Sequence, residues 1–241
     1  MDPGMYAAGG ALLAQLRAQE VTAHNLANIN TPGFKRRLTV HKPFQAHLAN
    51  ELAEVNTGGT VIDFARGTLD STGNPLDLAL DCEGFFVLET ESGYLYTRKG
   101  NFTLDGEGAI VDSIGRRLMG DGGGTLTVPS HAHTVHVDQE GRVFADDSEI
   151  GKVWVVDVAD RTALVPAAAT AFALPENQPP PASVEHPAVM QGALEGSNIN
   201  PVDELVTMIA TLRSFEAAQR TLTAFDDTTE QLAKAAQNSG S

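Results

Sequence analysis

With 241 residues, 42% of them apolar, the chain is long enough for one substantial domain or two small ones, and its composition is that of a folded protein. Its 16 Lys and Arg stand against 31 Asp and Glu, and the formal charge of −15 excludes non-specific binding to nucleic acid or to an anionic membrane surface. The lone cysteine, Cys82, can close no intramolecular disulfide and supply no cysteine-rich zinc site, which leaves packing and assembly as the sources of stability.

Residues 5–28 are rich in Ala, Leu and Gln, and Met5, Leu12, Leu16, Ala23 and Leu26 recur at steps of seven, four and three, which predicts a helix with one apolar stripe. Thr31-Pro32-Gly33 stops it, because proline disfavours helical geometry at the residue before it and glycine takes the left-handed exit turn. No basic cluster precedes the apolar residues, and Gly9, Gly10 and Gln15 interrupt them, so no cleaved signal peptide is expected. No stretch approaches the roughly 18 apolar residues of a membrane span. Residues 1–33 thus read as one helix and its exit, and 34–74 as an extended linker.

Residues 75–189 alternate apolar and polar side chains in short runs bounded by Gly, Asp and Asn, such as Phe85-Phe86-Val87-Leu88, Tyr94-Leu95-Tyr96-Thr97 and Val153-Trp154-Val155-Val156; this predicts a β domain. Asp105-Gly106-Glu107-Gly108 and Asp138-Gln139-Glu140-Gly141 fall where hairpin turns belong. Residues 175–187, with Pro179-Pro180-Pro181 at their centre, read as an extended connector.

In the last segment, residues 190–241, Asn200 is placed as the N-cap of a helix, Pro201 as its first residue, and Asp203 and Glu204 to complement its dipole. Val202, Leu205, Ile209, Leu212, Phe215, Leu222, Phe225 and Leu232 then keep a helical apolar face for about 36 residues, roughly 50 Å. The fold class expected is α+β: the terminal helices pair into a coiled-coil-like domain and a mainly antiparallel β domain is inserted between them. One such pair covers only part of each stripe, so the remainder is available to neighbouring copies.

Sites for chemistry are weak. His131, His133 and His136 could set two imidazoles on one side of a strand, but no carboxylate or cysteine lies at ligand spacing. Asp105-Gly106-Glu107-Gly108 lacks the closing glutamate of a calcium loop, and Gly120-Asp121-Gly122-Gly123-Gly124 is followed by a strand-like run and no lysine, unlike a phosphate cradle. There is no nucleophile elbow or H-E-x-x-H pattern, Asp146 and Asp147 are adjacent and would point to opposite faces of a strand, and Cys82 is flanked by Asp81 and Glu83. No catalytic, cofactor or metal residue is assigned and no cofactor is expected. A secreted β domain that binds a ligand, with helices for oligomerisation, is the reading left open beside assembly.

The run Val21-Thr22-Ala23-His24-Asn25-Leu26-Ala27-Asn28-Ile29-Asn30-Thr31-Pro32-Gly33-Phe34-Lys35 closely resembles the N-terminal signature of the flagellar basal-body rod and hook proteins. Gly73-Asn74-Pro75-Leu76-Asp77-Leu78-Ala79-Leu80, Gly84-Phe85-Phe86 and Tyr96-Thr97-Arg98-Lys99-Gly100-Asn101-Phe102 continue the likeness, and Gly192 to Asn200 with Glu204-Leu205-Val206 and Arg213-Ser214-Phe215-Glu216 resembles the C-terminal signature. On this resemblance Asn25, Leu26, Ala27, Asn28, Thr31, Gly33, Phe34, Ser197, Asn198 and Asn200 are family-motif residues. Cys82 departs from the pattern, which has a small residue there, and residues 128–189 carry no family motif.

The resemblance implies a non-enzymatic subunit stacked helically into the rod that crosses the periplasm, in contact with other rod proteins and with copies of itself. It also implies delivery by the flagellar export apparatus without a cleaved signal peptide and without membrane insertion. Met1-Asp2-Pro3-Gly4-Met5-Tyr6, the short stretch between Phe34 and Gly73, and Leu194-Glu195-Gly196-Ser197-Asn198 look more like proximal than distal members. Leu12, Leu16, Leu26, Leu205, Ile209, Leu212, Phe215 and Leu222 are the expected assembly contacts, and the terminal segments are expected to order only on joining the rod.

Overall fold

The computed structural model describes residues 3–40, 59–91 and 93–238, so the middle of the linker expected at 34–74 lies outside the described residues. Among the described residues it is α+β, with two long helices, α1 (Pro3–Ala27) and α2 (Pro201–Asn238), and sheets whose strand pairs are all antiparallel. The chain divides into two compact units.

The first unit contains Met1–Ala27, Arg37–Asp63 and Ile199–Ser241. Within it α1 and α2 contact each other, and Arg37–Thr39 pairs antiparallel with Thr60–Ile62, Leu38 opposite Val61. Asn200 caps α2 as the sequence indicates: its side-chain oxygen accepts from the Val202 amide at 3.0 Å and its carbonyl from the Glu204 amide at 3.1 Å.

The second unit contains Asn28–Arg36 and Phe64–Asn198. Its largest sheet runs Val165–Pro166, Ala171–Ala173, Gly93–Thr97, Phe85–Thr90, Arg117–Leu118, Ile110–Val111, Thr103–Leu104, and Val155–Asp157 pairs with the Phe85 strand as well. Phe85 to Leu88 are buried without alternation because the strand is covered on both faces. On one side Phe86 packs edge-on to Phe102 with ring centroids 5.5 Å apart, among Leu78, Leu80, Leu88, Ile110 and Leu118. On the other Phe85 meets Phe64 and Phe172.

Three turns repeat one device. In each an aspartate carboxylate oxygen accepts the amides two and four residues ahead: Asp105 from Glu107 and Ala109, Asp112 from Ile114 and Arg116, Asp138 from Glu140 and Arg142. The fourth residue is glycine at φ +83°, +87° and +81°, the left-handed conformation that closes a three-residue hairpin. Two of the three were predicted; the third, Asp112-Ser113-Ile114-Gly115, has the same D-x-x-G spacing. The stretch 175–187 is less irregular than its prolines indicate, since Ala182–Ser183 pairs with Val155–Asp157.

Candidate functional site

Along α2 the side chains that are not exposed, among those described, are Glu204, Met208, Thr211, Phe215, Ala218, Leu222 and Phe225. Their steps are four, three, four, three, four and three, the spacing that holds one face toward a partner helix. On α1 the buried positions Ala18, Thr22 and Asn25 follow the same steps. The two series meet where the Asn25 amide nitrogen donates to the Glu204 carboxylate at 3.4 Å.

The single apolar stripe read along α2 is therefore two. Leu205 and Ile209 are 48% and 53% exposed, and with Val202, Val206 and Leu212 they form an outward apolar ridge on the first three turns. Phe215 and Leu222 lie on the half-buried side with Glu204 and Thr211. Through Leu212 the apolar residues face out, Met208 excepted, while Glu204 and Thr211 face in; from Phe215 to Phe225 the side chains that are not exposed, among those described, are all apolar. On α1, Leu16 and Leu13 are exposed while Leu12 and Leu26 are half-buried. The side chains of Met5 and Leu232 lie outside the described residues.

Where α1 ends, Asn25 behaves like a strand edge. Its amide nitrogen donates to the Arg37 carbonyl at 2.8 Å and its oxygen accepts the Arg37 amide at 3.0 Å. The neighbouring His24 imidazole is held below its ordinary value by burial and then by the Arg37 charge. Ala27 is exposed. Past it, the Thr31 amide closes a turn on the Asn28 carbonyl and the Thr31 hydroxyl donates to the Asn28 side chain at 3.2 Å.

Inside the β unit, the segments carrying the N- and C-terminal signatures meet in a buried polar junction. Lys35 and Glu195, both side chains 0% exposed, form an ion pair at 2.6 Å. The Arg98 guanidinium reaches the other Glu195 oxygen at 3.4 Å and lies over the Phe85 ring, and the Gly67 amide donates to Glu195 at 3.0 Å. Burial lowers Arg98 from its ordinary value while Glu195 acts in the opposite sense. The Lys35 ammonium also donates to the Ala65 carbonyl.

Asn198 completes the junction: its oxygen accepts the Arg36 amide at 2.7 Å and its nitrogen donates to Ala65 at 3.1 Å. Gly33, at φ +68°, donates its amide to the Glu195 carbonyl, and a Cβ there would stand 2.3 Å from the Lys99 amide nitrogen. Phe34 is fully buried beside this junction and Ser197 is half-buried. Lys35, Arg98 and Glu195 all stand in signature runs, but nothing local in a single sequence marks them as partners.

The residues considered for chemistry have other employment. Asp146, at φ +54°, uses its carboxylate to accept the His133 and Thr134 amides and the Thr134 hydroxyl. His136 pairs with the Gln191 side chain at 2.9 Å and stacks on Phe144. The Cys82 sulfur accepts the Ala188 amide at 3.4 Å.

Three family descriptions match along the chain: "Flagella basal body rod protein" over residues 5–35, "Flagellar hook protein FlgE/F/G D1 domain" over 79–145, and "Flagellar basal body rod FlgEFG protein C-terminal" over 190–235. The chain is 32% identical over 245 residues to the flagellar basal-body rod protein FlgF of Salmonella typhimurium, covering 94% of this chain and 95% of that one. It belongs to the flagellar basal-body rod protein family. It is also 30% identical over 240 residues to FlgG of Bacillus subtilis (88% and 91% covered) and 29% identical over 242 residues to FlgF of Caulobacter vibrioides (98% and 97% covered). As a basal-body rod protein it is a structural subunit of the rod and not an enzyme. The three matched stretches take in most of α1, the strands Phe85–Thr90, Gly93–Thr97, Thr103–Leu104, Ile110–Val111 and Arg117–Leu118 of the largest sheet, and most of α2, and the outer ones carry Lys35 and Glu195 of its buried junction.

Proposed function

We propose that this rod protein occupies the proximal rod position and polymerises head to tail through its terminal helices to carry torque along the axis. The observation that carries the assembly reading is the outward ridge Val202, Leu205, Val206, Ile209 and Leu212, together with exposed Leu13 and Leu16. Apolar side chains spaced this way on helices are what a bundle of neighbouring subunits buries. In this reading α1 and α2 pair in coiled-coil fashion along the three–four seam, Phe215 and Leu222 fill that seam, and Leu205, Ile209, Leu212 and Leu16 face other subunits. The chain reaches the rod through the flagellar export apparatus.

The proximal assignment is supported by the near end-to-end alignment with the Caulobacter and Salmonella FlgF chains and by the opening Met1 to Tyr6. The test is complementation of motile hosts that lack either their proximal or their distal rod protein, scored by swimming and by electron microscopy of isolated basal bodies. Rescue of the proximal strain supports the reading; rescue of the distal strain alone moves the subunit to the distal rod. A Leu205→Ser/Ile209→Ser/Leu212→Ser chain that is folded and soluble yet builds no rod supports the ridge as the contact, and normal rods from that variant overturn it.

A further inference from the structure

The chain passes between its two units four times, after Ala27, Arg36, Asp63 and Asn198. The β-unit segments next to those crossings are the ones Glu195 and Asn198 tie together: Gly33 to Arg36, Ala65 to Gly67, and Glu195 to Asn198. The carboxylate is at the centre. It binds Lys35 at 2.6 Å and Arg98 at 3.4 Å, with all three side chains at most 3% exposed.

Without that carboxylate, docking residues 28–36 would bury Lys35 beside Arg98, two cations with the anion between them missing. Removing one partner of a buried ion pair is strongly destabilising because a charge is left without compensation. The docked state of the N-terminal signature therefore depends on a residue that lies 160 positions later in the chain.

We propose that Glu195 is a completion latch: the segment Asn28–Arg36 docks on the β unit only once the C-terminal segment has delivered the Glu195 carboxylate between Lys35 and Arg98. Until then the segment that follows α1 stays undocked while the central sheet folds, so a chain lacking its C-terminal signature does not display a docked N-terminal one. The latch acts within one subunit and does not depend on the rod position proposed above.

The experiment is hydrogen exchange with mass spectrometry on the full chain and on Glu195→Gln. The amides of Gly33, Arg36 and Gly67, which donate to the Glu195 carbonyl, Asn198 and Glu195, are the reporters, and those of Phe85–Thr90 are the control. The latch requires E195Q to speed exchange at the reporters about tenfold or more with the control strand unchanged. Unchanged reporters overturn it.

A second variant decides the case in which E195Q loosens the whole unit. Lys35→Met/Glu195→Gln removes a cation together with the anion, and it must recover reporter protection that E195Q loses. If the double variant exchanges as fast as E195Q, charge compensation is not what docks the segment and the proposal fails.

Discussion

Asn25 hydrogen-bonds both the carbonyl and the amide of Arg37, at 2.8 and 3.0 Å, so the last turn of α1 is stitched to the strand that follows twelve residues later. The side chain is 2% exposed, and a carboxamide is the group that supplies a donor and an acceptor side by side. Replacing it strands two part-buried backbone groups of Arg37, each costing about 1–3 kcal/mol to the extent that water is kept from it. Asn25→Leu should therefore lower the unfolding free energy by roughly 2–4 kcal/mol, measured by urea titration. Asn25→Asp should be no milder, since it loses the donor and sets a second carboxylate against Glu204. A variant within about 0.5 kcal/mol of wild type would contradict this account.

The two faces of α2 predict opposite behaviour from similar substitutions. Leu205→Ala and Ile209→Ala remove side chains that are about half exposed, so they should change stability of the isolated chain by no more than about 0.5–1 kcal/mol. Phe215→Ala and Leu222→Ala remove half-buried groups on the seam side and should each cost about 1–2 kcal/mol, below the cost at a fully buried site. Thermal or urea unfolding of the four variants separates the faces. If Leu205 and Ile209 prove as costly as Phe215, the ridge is covered in the free subunit.

That split marks the limit of what the sequence shows. The start of α2 was legible because Asn200, Pro201, Asp203 and Glu204 act within one turn, and the central strand because Phe85 to Leu88 is an unbroken apolar run. Seven residues fall about 20° short of two turns of an α-helix and ten residues about 80° short of three, so Leu205, Leu212 and Leu222 look like one stripe over short windows while turning from one face to the next. Which face is inward is decided by Asn25, some 180 residues earlier, and by the buried carboxylate of Glu204. Lys35 and Glu195 were hidden for the same reason: charged side chains are mostly exposed, and only the fold brings these two together.

Of the three turn aspartates, Asp112 is buried while Asp105 and Asp138 are half-exposed. Asp112 is buried, accepts the Ile114 and Arg116 amides, and pairs with the Arg116 guanidinium at 2.6 Å, whereas Asp105 serves the same amide positions at a more exposed turn. Asp112→Ala should cost about 2–3 kcal/mol and Asp105→Ala about 1 kcal/mol, by the loss of charge-assisted against solvated hydrogen bonds. Equal losses, read from urea midpoints at constant slope, would mean the turn geometry rather than the desolvated carboxylate sets the cost.

His24 gives the first unit a dependence on mild acid. Its imidazole is held below the ordinary 6.5 by burial and then by Arg37 on the facing strand, so the folded chain favours the neutral ring. Well above pH 6.5 the ring is neutral in folded and unfolded chains alike and adds no slope. Below it the unfolded chain binds a proton that the folded chain resists, so stability falls with pH until the folded-state value is also passed. His24→Gln removes this contribution, and its unfolding midpoint should fall less than that of wild type between pH 7 and 5. Parallel midpoint curves for the two chains would show that His24 titrates alike folded and unfolded, and that Arg37 does not hold it neutral.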